Sequence, residues 1–342
     1  MESVSSEKKA NTYRLENKNS TWMILTDAGA AVVCLFFRGT DVVLGWDTAQ
    51  EYFPNPGSFG ATVGRSANRI GAAAFTLNGR RYELAKNDGE NNLHSGPDGY
   101  HNRQWTAKEV TANRAVFCLD SPDGDQGYPG RLRVSVTYTL EDDDSVHIVY
   151  EGVSDADTVV NLTNHAYFNL NGHKAGTAMG HRLRINADAF TPVAPGLIPT
   201  GELRKVEGTP FDFRTAKPIG RDIGADDEQL RLGGGYDHNF ALQGEGFRTA
   251  AELTGDKTGI TLTVETDCPG VQLYTGNFLN GARGKGGAAY EKRSAVCLET
   301  QYFPNAVNEP GFASPVVKAG VPFRSETVWR LKKGKELLDN HD

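Results

Sequence analysis

The sequence predicts an all-β fold, a sandwich or barrel, and three observations carry that prediction. Apolar residues recur with period two along most of the patterned segments, the signature of strands with one buried face. Turn formers are abundant, with 39 Gly and 15 Pro among 342 residues. Helical periodicity is scarce, and its best short stretch lies around Arg221–Leu232. Many short strands separated by Gly-rich turns are what such a fold requires.

The elements follow in chain order. Phe75-Thr76-Leu77, Asn78-Gly79 and Tyr82-Glu83-Leu84 read as a hairpin, because Asn-Gly accepts the positive φ of a two-residue turn. Leu132, Val134, Val136, Tyr138 and Leu140 alternate with Arg133, Ser135, Thr137 and Thr139. Val146, Ile148 and Tyr150 resume the alternation after Asp142-Asp143-Asp144, so this pair is a second hairpin. Ile260, Leu262 and Val264 alternate with threonines and Glu265, and Val328 sits in a last strand-like run that ends at Leu331. No linker, internal repeat or shift in composition divides the chain, so one large β domain is expected over residues 12–331, with 1–11 and 332–342 as loose ends.

Composition excludes several classes of function. With 36 Lys+Arg against 43 Asp+Glu the net charge is −7, which gives no electrostatic reason to hold nucleic acid or an anionic membrane. The cysteines Cys34, Cys118, Cys268 and Cys297 are widely spaced and form no Cys-x-x-Cys, against a zinc ribbon or a dithiol redox motif. No signal-peptide core and no transmembrane run is present, so a cytoplasmic location with reduced thiols is expected. Gly284–Ala289 has the spacing of a dinucleotide fingerprint without its strand and helix. Asp120–Asp125 looks like a calcium loop, but Arg131 stands where the closing Glu is needed. His165, His173 and His181 are separated by glycines, so a shared metal is not expected and no metal site is read from the sequence.

Three segments carry chemistry. In Asn161–Leu170, read as a strand, Asn161, Thr163, His165, Tyr167 and Asn169 share one face, while Leu162, Ala166, Phe168 and Leu170 share the other. A polar row with an aromatic ring suits a sugar site, and a solvated outer face is the structural alternative. Glu299, in Val296–Pro304, is expected at or just beyond the end of a strand, where a carboxylate faces either solvent or a task. Asn68 and Arg69, in Gly64–Gly71, offer an amide and a forked cation suited to hydroxyls. Asn91–Gly96 and Gly235–Asn239 are polar loops, and Gln272 and Tyr274 fall on one face of a strand.

In this order the segments resemble the aldose 1-epimerase (galactose mutarotase) family. The resemblance is carried by GRSANRI at Gly64–Ile70, NNLHSG at Asn91–Gly96, VNLTNHAYFNL at Val160–Leu170, LIPTGE at Leu197–Glu202, GYDHNF at Gly235–Phe240, GVQLYTGNFL at Gly270–Leu279 and CLETQYFPNAVN at Cys297–Asn308. It implies a large, mostly antiparallel β-sandwich (a supersandwich) with its sugar cleft on a concave sheet face. It further implies an isomerase that interconverts the α and β anomers of free aldohexoses such as galactose and glucose, feeding hexose metabolism. His165 matches the family's catalytic acid and Glu299 its catalytic base. Asn68, Arg69, His94, Asp237 and Gln272 match sugar-holding positions, and Tyr167 lies beside the catalytic histidine. Ser95 departs from the family's usual Gly, which adds a Cβ to the loop that presents His94. No cofactor is implied, the partner is a small aldose, and a monomer or weak dimer is expected. The rival readings are a non-catalytic sugar-binding protein, a glycoside hydrolase with Asp237 as second carboxylate, and a hexose-phosphate epimerase. The last would need a basic cluster, for which Arg80-Arg81 is the nearest candidate.

Overall fold

A computed structural model describes residues 9–334; the expected loose ends at 1–8 and 335–342 lie outside the described residues. Strands dominate, and the only α-helix among the described residues is Glu228–Gly233. It takes only the end of the stretch expected to be helical around Arg221–Leu232 and runs one residue past it, while 222–227 is not helical. Asp227 caps it by accepting the amides of Gln229 and Leu230, and Gly234 ends it in the left-handed conformation. No helix of the described residues is long and apolar enough to cross a membrane.

The largest sheet has nine strands, in the spatial order Thr106–Val110, Arg114–Ser121, Leu132–Leu140, Ser145–Ser154, Phe323–Lys333, Ile260–Thr266, Arg248–Thr254, Arg182–Ile185 and Lys217–Pro218. Its central hairpin pairs Leu132 with Ser154 through to Leu140 with Val146, around the acidic turn read from sequence. Val134, Val136, Tyr138 and Leu140 are buried there with Val146, Ile148 and Tyr150, each large apolar side chain contributing ~1.5–3 kcal/mol on leaving water. The last strand continues past Leu331, since Lys332 and Lys333 pair with Thr261 and Ile260. Those two residues are therefore in the sheet rather than in a loose end.

A second sheet of five strands runs Arg204–Lys205, Ala187–Phe190, Asp237–Leu242, Gly270–Tyr274 and Cys297–Gln301. Phe240, Val271, Leu273 and Leu298 from one of its faces join the same apolar core as Val136, Ile148, Leu262 and Trp329 of the large sheet. Phe168 meets Trp329 edge-on with ring centroids 5.0 Å apart, and the hydroxyls of Thr300 and Thr327 meet across the layers at 2.5 Å. This is sandwich packing. A four-stranded sheet over Thr12–Asp41 lies against it, where Tyr138 donates its hydroxyl to Ala30 O at 2.8 Å.

The unassigned motifs have structural uses. Lys285 of the Gly-rich segment donates to Val33 O and to Asp41 Oδ2, at 2.7 and 2.6 Å, the latter a partly buried ion pair. In the acidic loop Asp120 pairs with Arg131 and Asp125 with Arg103. His173 contacts the Tyr290 hydroxyl, while His181 accepts the Leu170 amide and meets Asp256. The three evenly spaced histidines thus go to separate places.

Candidate active site

Register places the polar side chains of the five-stranded sheet on one face. Asn239 stands opposite Gln272, which stands opposite Glu299, and Asp237 stands opposite Tyr274, which stands opposite Cys297. Directly opposed residues share a face, so this face is a polar row across three strands while the other is core. Glu299 lies in the middle of its strand and is 2% exposed, rather than at an exposed strand end. The segment Asn161–Leu170 is likewise no continuous strand. Only Thr163–Asn164 forms a ladder, with isolated bridges at Asn161 and Phe168. Its Gly60–Ala61 neighbours hold His165, which donates its amide to Ala61 O and accepts from Gly60 N.

The alternation predicted for that segment is correct for its apolar half, since Leu162, Ala166, Phe168 and Leu170 enter the core. The polar half divides. His165 and Tyr167 line a cavity of about 500 Å³. Asn161 instead binds the backbone of Ala67 and Tyr302, and Asn169 that of Gly176 and Ser294. These two asparagines hold loops.

Around the cavity stand Asn68, Arg69, His94, His165, Tyr167, Asp237 and Glu299. Seven of the eight predicted site residues thus come together from segments distant in sequence. Gln272, the eighth, does not line the cavity; its Nε2 donates to Asp237 Oδ1 at 2.7 Å and holds that carboxylate in place. Asp237 is placed by the turn after the helix, where Gly235 has φ 140° and a Cβ would come 2.4 Å from Asn277 Oδ1. That turn admits only glycine without rearrangement.

Asn68 and His94 brace each other. His94 donates its amide to Asn68 O, and the Asn68 amide donates to His94 Nδ1, both at 3.1 Å. Both residues have positive φ. Ser95 does too, at 67°, in the region that favours glycine, and its hydroxyl accepts from Ser66 N at 2.7 Å. The departure from Gly therefore ties the loop to the neighbouring Gly64–Gly71 segment. Arg69 donates to Asp88 Oδ2 at 2.7 Å and lies 3.8 Å from Asp237 Oδ2.

His165 Nε2 and Glu299 Oε1 stand 3.6 Å apart. Burial pushes the Glu299 carboxyl well above the usual carboxylate range, Asp237 adds to this and Arg69 opposes it. Burial lowers His165 to about 4. It also takes His94 well below its ordinary value, with His165, His101 and Arg69 acting in the same direction. Burial raises Asp237 against the pull of Arg69 and Gln272. A neutral imidazole facing a carboxyl that resists ionisation is suited to moving a proton to and from an uncharged ligand.

Sequence reasoning missed the aromatic wall. Trp46, Phe59 and Phe278 line the cavity, and Phe59 stacks on Tyr167 with centroids 4.4 Å apart. Tyr274, noted beside Gln272, also lines it. Asp88, which orients Arg69, was missed as well. Only an Asp-Gly turn signal marks it, and nothing in that signal points to Arg69.

A sequence model described as aldose 1-epimerase matches residues 11–330. The galactose mutarotase of Bos taurus is 46% identical over 294 residues, covering 85% of this chain and 84% of that protein. The aldose 1-epimerase of Escherichia coli is 37% identical, covering 93% of this chain and 95% of its own. Among solved structures, the GalM/aldose epimerase homologue from C. elegans superposes with a TM-score of 0.89 at 31% identity, covering 96% of this chain and 100% of that one.

Proposed function

The chain belongs to the aldose 1-epimerase family, and on that premise we propose that its cavity converts the α and β anomers of free aldohexoses through Glu299 and His165. It is an isomerase acting on aldose anomers. The observation that carries the residue assignment is the buried His165–Glu299 pair, 3.6 Å apart on the floor of a cavity with a polar rim and an aromatic wall.

The chemistry follows from the pair. Glu299 takes the proton of the C1 hydroxyl while His165 gives one to the ring oxygen. The C1–O5 bond breaks, the aldehyde turns about C1–C2, and reclosure on its other face returns both protons. Burial makes the Glu299 carboxylate a stronger base and the His165 imidazolium a stronger acid than in water, which is the direction proton transfer requires. The same burial disfavours the separated charges, so opening the ring, which leaves both groups neutral, is assisted by the site. In this reading Arg69 and His94 stabilise charge developing on the ring oxygen, and Asn68, Asp237 and the Tyr167 ring hold the remaining sugar surface.

A free sugar fits better than a phosphorylated one. Among the described residues Arg69 is the only Arg or Lys that lines the cavity, and it is engaged by Asp88 and Asp237. Arg80 and Arg81 are exposed on their hairpin, Arg81 paired with Glu83. Four free thiols, three of them buried, support a cytoplasmic enzyme, and the net charge of −7 argues against a nucleic-acid partner. Polarimetry of freshly dissolved α-D-galactose and α-D-glucose tests the proposal. The expected result is a faster approach to the unchanged final rotation. Spontaneous rates with folded protein would retire both sugars.

A further inference from the structure

We propose that the cavity floor is also a three-ligand site for a borderline divalent cation, Zn²⁺ being the type case, and that such a cation excludes the sugar. His94, His165 and Glu299 each offer a ligand atom, and these atoms all lie within 4.8 Å of one another. Donors around one zinc ion at 2.0–2.2 Å are separated by roughly 3–4 Å, so the widest pair has to close by only about 1 Å. Each residue has a donor atom to offer. His94 spends Nδ1 on the Asn68 amide, which leaves Nε2. His165 faces Glu299 through Nε2. Glu299 is 2% exposed, and its Oε2 is buried without a hydrogen-bond partner, an orphaned carboxyl oxygen that a cation satisfies by displacing the proton.

Two imidazoles and one carboxylate are a donor set suited to zinc and its neighbours in the first transition row rather than to Mg²⁺ or Ca²⁺. Three protein ligands leave a coordination position open to solvent. Local charge permits the binding. Arg69 is the nearby cation, but Asp88 and Asp237 face it, and Asp237 adds a second carboxyl to the cavity. The inference is regulatory: occupation immobilises the three side chains that proton transfer and ring-oxygen stabilisation need, so the cation inhibits. The competition it predicts rests on the assignment of this cavity to the sugar.

The test uses the full chain freed of metals by chelator and dialysis. Co²⁺ is added as a spectroscopic probe, and Zn²⁺ is measured by calorimetry and by polarimetry. Expected are a visible d–d band with Co²⁺, one Zn²⁺ bound per chain, and inhibition that raises the apparent KM for galactose, leaves kcat unchanged and is reversed by chelator. His94→Gln and Glu299→Gln should each lose the Co²⁺ band and weaken Zn²⁺ binding by roughly tenfold or more, with circular dichroism verifying the fold. His173→Gln, outside the cavity, should retain both. Absence of a Co²⁺ band, a band that survives in both variants, or inhibition that galactose does not relieve overturns the site. If the metal-free chain has no epimerase activity, the functional reading falls, and the Co²⁺ band with its two variants still decides the cation site.

Discussion

The central hairpin of the large sheet and the three site strands of the five-stranded sheet are built from the same antiparallel pairing, yet they put opposite chemistry inside. In Leu132–Leu140 the buried row is Leu132, Val134, Val136, Tyr138 and Leu140, with Arg133 and Thr139 outward. In Asp237–Leu242, Gly270–Tyr274 and Cys297–Gln301 a row of Asp237, Asn239, Gln272, Glu299 and Gln301 is buried too. Several of its polar atoms have no partner, including Glu299 Oε2, Gln272 Oε1 and both side-chain polar atoms of Asn239 and Gln301. The first region supplies stability. The second carries a cost in desolvated polar groups, and of the residues with such atoms only Glu299 lines the cavity, where a ligand can reach it.

This contrast is sharpest at Glu299. Glu299→Gln and His165→Asn are each expected to lower kcat by ~10²–10⁴-fold while the thermal midpoint holds or rises, because a buried ionisable group is removed. Polarimetry with parallel calorimetry checks both. Turnover within tenfold of the parent would place the proton transfers elsewhere.

Leu262→Ala, in the large sheet, should do the reverse. A fully buried Leu truncated in a packed core costs about 2–5 kcal/mol, read by denaturant unfolding, with activity per folded molecule unchanged. Loss of turnover without loss of stability would break the division between the regions.

Asp237→Asn removes a buried charge held by Gln272 and Arg69. It is expected to raise KM by roughly tenfold, the equivalent of one charge-assisted hydrogen bond, with a smaller change in kcat.

The pH dependence is the gentlest probe. In the proposed mechanism the His165–Glu299 pair works with one proton, so kcat/KM should fall as pH drops through about 4, where His165 gains the second. It should fall again on the alkaline side, where Glu299 loses its proton at a pH raised well above the carboxylate range by burial. These are properties of the pair rather than of either residue. A rate profile corrected for spontaneous mutarotation that shows its acid limb near pH 6.5 would mean that His165 is solvated in the working enzyme.

The hairpin at Leu132–Tyr150 was legible because an alternating row with one apolar face has only one register that buries it. The helix was legible at its end but not at its start: it closes one residue beyond the expected Arg221–Leu232 stretch yet begins only at Glu228, where the Asp227 side chain caps it. Glu299 was legible as a functional candidate but not as a mid-strand residue, since Val296-Cys297-Leu298 shows an apolar run and not where pairing ends. Asn161 and Asn169 were grouped with His165 by alternation alone. Alternation describes a continuous strand, and this segment leaves the ladder after Asn164.

By itself the sequence determined the fold class, the apolar rows and the motifs that identify the family, because each is written in spacing along one segment. The tertiary structure alone decided which polar residues meet. Cross-strand register set Gln272 behind Asp237, a loop fold put Asp88 on Arg69, and closure of distant segments brought His94, His165 and Glu299 within reach of one another. Burial on that scale is a property of the assembled sheets, and so are the shifted proton affinities that it produces.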